Sequence, residues 1–273
     1  MREVNVKRPR LKAAVFLGGG RITSALVAGL RLAGYDKPMV VHDRNRHKLR
    51  QLQREYGATG EPNLRRAVEQ ACLLIVAVRP DSVGELLRAT GKIDRPLTAV
   101  SLAAGVPLSK LRMRLGPPVR WARAMPSSVC RSGRGLTAVT FARGFPYSAQ
   151  REVKDLFATV GPVLELPETK FDAFTVTYSA SHGYHALAAL AAAAEKLGLD
   201  RKGALTAAAH ALADGILAWR EGNTRLDRLL REAATPGGIA ATVMSSMNEV
   251  GYQRMIERGL RAGIARARKN AKQ

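Results

Sequence analysis

Residues 13–23 read Ala-Ala-Val-Phe-Leu-Gly-Gly-Gly-Arg-Ile-Thr. The apolar residues predict a short β-strand over 12–17, and the helical spacing of Ile22, Leu26 and Leu30 predicts an α-helix directly after the glycines. Glycines at the first and third positions of such a turn let the backbone bend tightly and approach a pyrophosphate, which the helix N-terminus binds through its N–H groups. Thr23 stands where the usual G-x-G-x-x-G motif has its last glycine. The order of strand, turn and helix still predicts a dinucleotide-binding fold.

Apolar strands and helical segments alternate through the rest of the N-terminal half. Further strands are predicted over 38–42, 73–78, 97–102, 119–122, 136–141 and 163–165. Helices are predicted between the first of these, over 46–56, 64–70 and 82–90. Continuous apolar strands separated by helices are typical of a parallel sheet that is covered on both faces.

The pattern changes after Phe171, where strand signals stop and alanine-rich helical segments begin. These segments are predicted over 184–197, 202–221, 224–231 and 238–271. Their apolar surface exceeds what one layer of helices can cover, which predicts a homodimer or higher homo-oligomer. We therefore predict the α/β fold class, with a Rossmann-type doubly wound parallel sheet over residues 1–165 and an all-helical dimerisation and substrate domain over residues 166–273.

Asp43 and the residues after it bear on the choice between NAD and NADP. Asp43 ends the second predicted strand, 43 − 20 = 23 residues after Gly20. An acid at this place typically binds the ribose 2′-hydroxyl of NAD, whereas a nearby arginine suits the 2′-phosphate of NADP. Arg44 and Arg46 follow at once. The local positive charge favours NADPH, and NADH stays open as an alternative.

The chain is strongly basic, with 44 Lys and Arg against 22 Asp and Glu and a net charge of +22. Such a charge attracts nucleic acid and acidic surfaces. The basic residues are spread along the chain with mild clusters at 7–12, 44–54 and 261–272, which is more typical of a solvated surface than of a nucleic-acid footprint. We therefore expect a small-molecule substrate as the partner.

Metal binding, secretion and membrane insertion are not predicted. Cys72 and Cys130 form no C-x-x-C pair and have no histidine cluster beside them. Cys72 lies in an apolar run and is predicted to be buried, and Cys130 to be more exposed. The basic segment 1–12 precedes an apolar stretch too short for a signal peptide or a membrane span. We expect a cytoplasmic protein.

Five segments resemble, in the same order, the motifs of the pyrroline-5-carboxylate reductase family. They are Val15-Phe16-Leu17-Gly18-Gly19-Gly20, Ala77-Val78-Arg79-Pro80, Ser101-Leu102-Ala103-Ala104-Gly105-Val106, Arg123-Ala124-Met125-Pro126 and Ala234-Thr235-Pro236-Gly237-Gly238. This resemblance implies an oxidoreductase that uses NADPH, with NADH possible, to reduce a cyclic imine carboxylate. The expected reaction is the conversion of 1-pyrroline-5-carboxylate to proline.

The resemblance also implies which residues bind the cofactor. They are Gly18, Gly19, Gly20, Arg21, Ile22, Thr23, Asn63, Ala77, Val78, Arg79, Pro80, Ala103, Ala104 and Gly105. Asp43 and Arg44 join these cofactor-binding candidates because of their place after the second predicted strand.

Two segments of the helical half depart from the family pattern. The family's Ser-Gly-Ser-Gly-Pro-Ala-Tyr loop corresponds here to Ser179-Ala180-Ser181-His182-Gly183-Tyr184-His185, and Ile239-Ala240 replaces Thr-Thr after Pro-Gly-Gly. A polar group near the imine is therefore altered. His182 and His185 are candidate replacements because histidine donates a proton near neutral pH. Both could equally be packing or capping residues at a helix start.

The implied substrate site combines residues from three segments. We expect His182, Ser181 and Thr235 to take part in catalysis. Gly237 and Gly238 are expected to begin a helix whose backbone N–H groups bind the substrate carboxylate, and Met125 and Pro126 are further substrate-binding candidates.

Two alternatives remain open from the sequence. The altered loop and Ile239-Ala240 make one wall less polar, which would suit a different cyclic imine. The net charge of +22 and the altered loop would also fit a non-catalytic protein that binds a dinucleotide or nucleic acid.

Overall fold

The computed structural model describes residues 13–272. The basic segment 1–12, with the first residue of the first predicted strand, and residue 273 lie outside the described residues. Within the described range the strands are β1 Ala13–Leu17, β2 Met39–His42, β3 Thr59–Gly60, β4 Ala71–Val76, β5 Leu97–Ser101, β6 Val119–Met125, β7 Thr137–Phe141 and β8 Val163–Glu165.

Residues 13–178 carry seven α-helices and one 3₁₀ helix. They are α1 Arg21–Leu32, α2 Arg46–Tyr56, α3 Leu64–Gln70, α4 Pro80–Thr90, α5 Leu108–Arg114, the 3₁₀ helix Ser128–Ser132, α6 Tyr147–Ala158 and α7 Glu168–Thr177. The remaining helices are α8 Ala180–Lys196, α9 Arg201–Glu221, α10 Leu226–Ala233, α11 Ile239–Glu249 and α12 Tyr252–Lys272.

The eight strands form one sheet in the order β3-β2-β1-β4-β5-β6-β7-β8. The first six positions of this order are those of a doubly wound nucleotide-binding sheet, which confirms the predicted fold class. The prediction of an all-parallel sheet needs one correction, because β7 pairs antiparallel with β6. The connection between β6 and β7 contains only the short 3₁₀ helix, and a parallel pairing requires a longer crossover, usually an α-helix.

The core lies on both faces of the sheet. Phe16 belongs to the buried cluster on one face, and its neighbours Val15 and Leu17 belong to the cluster on the other. Ile75 and Leu74 of β4 divide in the same way. Since successive side chains of a strand point to opposite faces, both faces need apolar residues, which explains the continuous apolar runs.

The cysteine exposures are the reverse of those predicted. Cys130 is buried and Cys72 is half-buried. Cys130 packs under α1, where a Cβ on Gly29 would lie 2.1 Å from the Cys130 carbonyl oxygen. Burial raises the pKa of the Cys130 thiol to about 11, so this thiol stays protonated and unreactive at neutral pH.

The described chain divides into two compact units. The first contains residues 13–178 and 263–272, and the second contains residues 179–262. The predicted domain boundary after residue 165 stays a prediction. The end of α12 belongs to the first unit, where Asn270 Nδ2 donates to the Ala104 carbonyl at 3.2 Å and Lys110 Nζ donates to the Ala271 carbonyl at 2.9 Å.

The second unit has a small buried core and a largely exposed apolar surface. Ala191 of α8 packs with Ala204 and Ala208 of α9. Large apolar side chains are exposed along all five of its helical segments, namely Tyr184, Leu190, Leu205, Ile216, Leu217, Trp219, Leu226, Leu230, Ile239, Val243, Met247, Tyr252, Met255 and Ile256. None of the described helices has both the length and the apolar content of a membrane span.

Two predicted helix bounds in the second unit are corrected by the structure. The helix predicted over 184–197 begins at Ala180, because the Ser179 side chain caps it by accepting the N–H of Ser181. The single helix predicted over 238–271 is two helices, which are separated at Gly251 with φ of +84°. A left-handed glycine is a common way for a helix to end.

Arg123 is a buried charge that joins three elements of the first unit. Its side chain is 2% exposed, and its guanidinium donates to Glu168 Oε1 at 3.3 Å and to Asp172 Oδ1 at 3.0 Å. The guanidinium carbon lies 4.5 Å from the centroid of the Phe171 ring. Glu168 Oε1 also accepts the N–H of Leu108 at 2.6 Å. The first turn of α5, the end of β6 and α7 therefore meet at one carboxylate.

Replacing Arg123 tests the importance of this network. Arg123→Met removes the cation from two partly buried carboxylates, and we expect it to lower the free energy of unfolding by about 2–4 kcal/mol. Arg151→Met is the control, since Arg151 forms an exposed pair with Asp155 and its loss should cost less than about 1 kcal/mol. Urea unfolding of both variants gives the comparison, and equal effects would contradict a structural role for the Arg123 network.

Candidate active site

The main cavity of the first unit opens where β1, β2 and β4 end. Its volume is about 570 Å³, and the carboxyl ends of parallel strands are where open α/β sheets bind ligands. Its lining comes from the loops after these strands, from one face of α4, from α2 and from the connection between β3 and α3. The lining residues are Gly18, Gly20, His42, Asp43, Arg44, Lys48, Pro62, Leu64, Ala77, Val78, Arg79, Ser82, Glu85, Leu86 and Ala89.

The three glycines after β1 differ in what a side chain would meet at each position. Gly18 has φ of +112°, and a Cβ there would lie 2.7 Å from the Ala77 carbonyl oxygen. A Cβ on Gly19 would lie 3.3 Å from the Asp43 side chain. A Cβ on Gly20 would meet nothing within 4 Å. Gly18 is therefore required by its conformation and by packing, Gly19 is in tight contact with Asp43, and Gly20 leaves open space against the backbone.

The N-terminus of α1 faces this open space with its backbone N–H groups uncapped by a side chain. Gly20 occupies the cap position, and neither it nor a neighbouring acid caps the helix start. The N–H groups of a first helical turn have no partner within the helix, and the helix dipole places partial positive charge there. The buried Thr23 hydroxyl donates to the Gly18 carbonyl, so the residue that replaces the last glycine of the motif stabilises the turn.

Asp43 is engaged by the backbone on both carboxylate oxygens. Its Oδ2 accepts the Gly19 N–H at 2.8 Å, and its Oδ1 accepts the Asn45 N–H at 2.8 Å. Lys48 Nζ lies 3.8 Å from Oδ2. Asp43 thus holds the glycine turn against the loop after β2, and Lys48 balances its charge.

The remaining charges of the cavity lie on its exposed side. Arg44 Nη1 lies 3.5 Å from Glu85 Oε1, joining the loop after β2 to α4. Arg79 Nε lies 3.9 Å from Asp81 Oδ1 at the start of α4. The lining therefore carries three basic side chains and two acidic ones, and each acid lies near one of the bases. This balance suits an anionic ligand.

The structure brings only some of the predicted cofactor residues to the cavity. Gly18, Gly20, Asp43, Arg44, Ala77, Val78 and Arg79 line it, and Gly19 lies directly behind it. Arg21 is exposed at the start of α1, Ile22 packs against the core, and Pro80 is the first residue of α4. Asn63 caps α3 by accepting the Arg66 N–H at 3.0 Å.

Gly105 and its neighbours pack against α12 within the first unit. Gly105 has φ of +78°, and a Cβ there would lie 2.4 Å from the Ala267 carbonyl oxygen. The Ala104 carbonyl accepts a hydrogen bond from Asn270, and Ala103 is buried. This contact explains the glycine without a ligand, and a cofactor role for residues 103–105 stays a prediction.

Sequence reasoning missed one complete wall of the cavity. Ser82, Glu85, Leu86 and Ala89 line it from α4, and their spacing of three, four and seven residues places them on one face of a helix. This helical spacing is the sequence signal that could have placed the four residues on one wall. His42 carried none, since it is a strand residue whose Nδ1 lies 2.9 Å from the Glu61 carbonyl oxygen.

The predicted catalytic residues Ser181 and His182 lie in the first turn of α8. The Ser181 hydroxyl lies 2.7 Å from that of Ser179, and the His182 N–H donates to the Ser179 carbonyl at 3.0 Å. The side chains of Ser181, His182 and His185 are exposed. Capping of this helix therefore comes from Ser179 rather than from either histidine.

Thr235, Gly237 and Gly238 form a tight turn before α11. The Gly238 N–H donates to the Thr235 carbonyl at 2.9 Å, and Gly237 has φ of +75°. Gly238 is the cap residue of α11 and supplies no capping side chain. Because its own N–H is already bonded, the N–H groups left without a helical partner begin at Ile239.

Met125 and Pro126 lie where β6 ends. Met125 is the last residue of the strand and is half-buried, and Pro126 is buried. Within residues 13–272 no group of three or more His, Cys, Asp or Glu side chains could hold a metal ion.

Both halves of the chain match known families. Residues 13–105 match the family described as NADP oxidoreductase coenzyme F420-dependent, and residues 168–270 match pyrroline-5-carboxylate reductase dimerisation. The pyrroline-5-carboxylate reductase of Mycobacterium leprae is 30% identical over 280 residues, covering 92% of this chain and 94% of the relative. That of Corynebacterium melassecola is 28% identical over 253 residues, covering 90% and 94%.

Two solved structures with the same fold carry names like those of the sequence relatives. A pyrroline-5-carboxylate reductase from Coxiella burnetii has a TM-score of 0.85 at 21% identity, covering 97% of this chain and all of that one (100%). A pyrroline carboxylate reductase from Plasmodium falciparum, solved with NADP bound, has a TM-score of 0.84 at 19% identity, covering 96% and 98%.

Gly18 and Gly20 offer a direct test of the turn. Gly18→Ala forces an alanine into a left-handed conformation against the Ala77 carbonyl, and we expect it to lower the free energy of unfolding by about 1–3 kcal/mol. Gly20→Ala has open space and an extended backbone, so it should cost less than about 1 kcal/mol. Chemical denaturation measures both, and the reverse ranking would contradict a left-handed Gly18 packed against Ala77.

Proposed function

The chain belongs to the pyrroline-5-carboxylate reductase family, and we propose on this premise that it reduces 1-pyrroline-5-carboxylate to proline with NADPH. The observation that carries the proposal is the open space at Gly20 in front of the uncapped start of α1, in a chain that matches the family over both halves. A pyrophosphate fits such a place because backbone N–H groups and the helix dipole stabilise its charge.

The residues of the cavity fit a nicotinamide dinucleotide. Its volume of about 570 Å³ is within the range of cofactor sites, and the missing Cβ at Gly20 leaves room for phosphate oxygens. When bound, NADPH supplies a hydride to the carbon of the substrate C=N bond. The chain's own residues have to place the imine and provide a proton at its nitrogen.

NADPH is favoured over NADH by the partners of Asp43. An acid that binds the ribose 2′-hydroxyl needs a lone pair directed at it. Each oxygen of Asp43 already accepts a backbone N–H group and one lies near Lys48, so fewer lone pairs are left for a hydroxyl. Arg44 follows Asp43 and lines the cavity, which is the place of an arginine that binds a 2′-phosphate.

The start of α11 is the proposed binding site for the substrate carboxylate. Gly237 and Gly238 shape the turn with Thr235, and the N–H groups from Ile239 onward are left to bind the anion. This interaction depends on the backbone, so it tolerates Ile239-Ala240 in place of Thr-Thr. The Thr235 hydroxyl is a further donor in this proposal. Met125 and Pro126 of the first unit stay substrate-binding candidates through their resemblance to the family motif.

Ser181 and His182 are proposed to act at the imine nitrogen. Reduction is easier when that nitrogen is protonated, and the product amine is stabilised by a hydrogen-bond donor. In our proposal His182 provides the proton and Ser181 orients the ring nitrogen.

A second candidate substrate is a different cyclic imine, which is favoured by one observation, the exposed apolar side chain of Ile239 at the start of α11.

NADPH oxidation by the purified protein tests the function. With 1-pyrroline-5-carboxylate we expect the absorbance of NADPH to fall at an enzymatic rate while proline forms. His182→Gln should lower kcat by about 10²-fold or more. Turnover of other cyclic imines but not of this one would support the second substrate. An unchanged kcat in His182→Gln would exclude His182 as the proton donor.

Absence of turnover and of NADPH binding would contradict the enzymatic proposal altogether. In that case salt-sensitive binding to nucleic acid would identify the basic surface as the functional one.

We also propose that residues 179–262 form the interface of a homo-oligomer, because this unit exposes many large apolar side chains. Leu217→Glu places a charge in this surface, and we expect it to shift the protein toward the single-chain mass. Leu32→Glu is the matched control, since Leu32 is exposed in the first unit, where it should not disturb assembly. Light scattering after size exclusion measures the mass, and an oligomer disrupted only by Leu32→Glu would refute this interface.

A further inference from the structure

The pair of Arg44 and Glu85 lies at the cavity directly after Asp43, where an arginine typically binds the 2′-phosphate that distinguishes NADP from NAD. Arg44 Nη1 is 3.5 Å from Glu85 Oε1, and both residues line the cavity. Their side chains are 86% and 69% exposed, so the pair is easily exchanged for another partner. Asp43 and Lys48 balance each other nearby. Arg44 therefore differs from Lys48 in its partner, because Glu85 lines the cavity from α4.

Glu85 projects from α4 on the same face as Ser82, Leu86 and Ala89. This face forms the wall opposite the loop after β2. A phosphate bound by Arg44 would approach the Glu85 carboxylate, since the two side chains already touch. A cofactor with a plain hydroxyl would leave the pair intact.

We propose that Glu85 weakens the preference of this chain for NADPH by competing with the 2′-phosphate for Arg44. The proposal rests on the proposed use of a nicotinamide dinucleotide. With NADPH, Arg44 exchanges the Glu85 carboxylate for the phosphate, and Glu85 then repels the new anion. With NADH, neither change is needed. Glu85 thus lowers the affinity for NADPH below the value that Arg44 alone would give, which is specificity set by a repulsive group.

Calorimetry with cofactor fragments tests this proposal without catalysis. The probes are 2′,5′-ADP and 5′-AMP, which differ at the 2′-phosphate. We expect Glu85→Gln to raise the affinity for 2′,5′-ADP about three- to fivefold at low salt and to change the affinity for 5′-AMP less than twofold. The gain should shrink as the salt concentration rises, because both side chains are exposed. Asp94→Asn removes one negative charge outside the cavity and should change neither affinity.

A double-mutant cycle separates competition for Arg44 from a general charge effect. Arg44→Gln should lower the affinity for 2′,5′-ADP. When Glu85→Gln is added to Arg44→Gln, it should raise this affinity much less than it does in the wild-type background. The same gain in both backgrounds, or equal gains for both fragments, would overturn the proposal while leaving the function intact. If the wild-type chain binds neither fragment, the proposed cofactor site itself is wrong.

Discussion

The nucleotide-binding half depends on one close approach between two stretches of backbone. The turn after β1 passes so near to the end of β4 that a Cβ at Gly18 would lie 2.7 Å from the Ala77 carbonyl oxygen. This approach directs α1 toward the cavity and leaves its N–H groups facing the ligand space. Asp43 fixes the other side of the same turn through the Gly19 N–H. The binding surface is therefore made of backbone, which explains why its side chains tolerate departures such as Thr23.

Local patterns predicted the elements that need only local information. The bounds of α2 and α3 follow from their helical spacing and from Asn45 and Asn63, whose side chains cap them. The break at Gly251 also had a signal, since a glycine after a helical run commonly ends a helix. It was missed because the apolar spacing continues across it.

The pairing of β7 and the partners of the charged residues could not be predicted in this way. An antiparallel return depends on how the connection after β6 packs, which no period in the sequence records. Arg123 was noted only as part of a motif, yet its partners Glu168 and Asp172 lie 45 and 49 residues away. Likewise, the sequence left the role of Asp43 open between the ribose hydroxyl and a helix cap, and its two backbone partners come from the fold.

The last turns of α12 have a consequence for synthesis on the ribosome. The loop that contains Gly105 is completed by Ala267 and Asn270, which emerge more than 150 residues later. Contacts so distant in sequence form slowly, and only after the whole helical segment 179–262 has been translated. The nascent nucleotide-binding half therefore waits with this loop uncovered while the helical half is being made. Fragments of the gene that end before α12 should yield an incomplete first unit, so the two halves are a poor choice for separate expression.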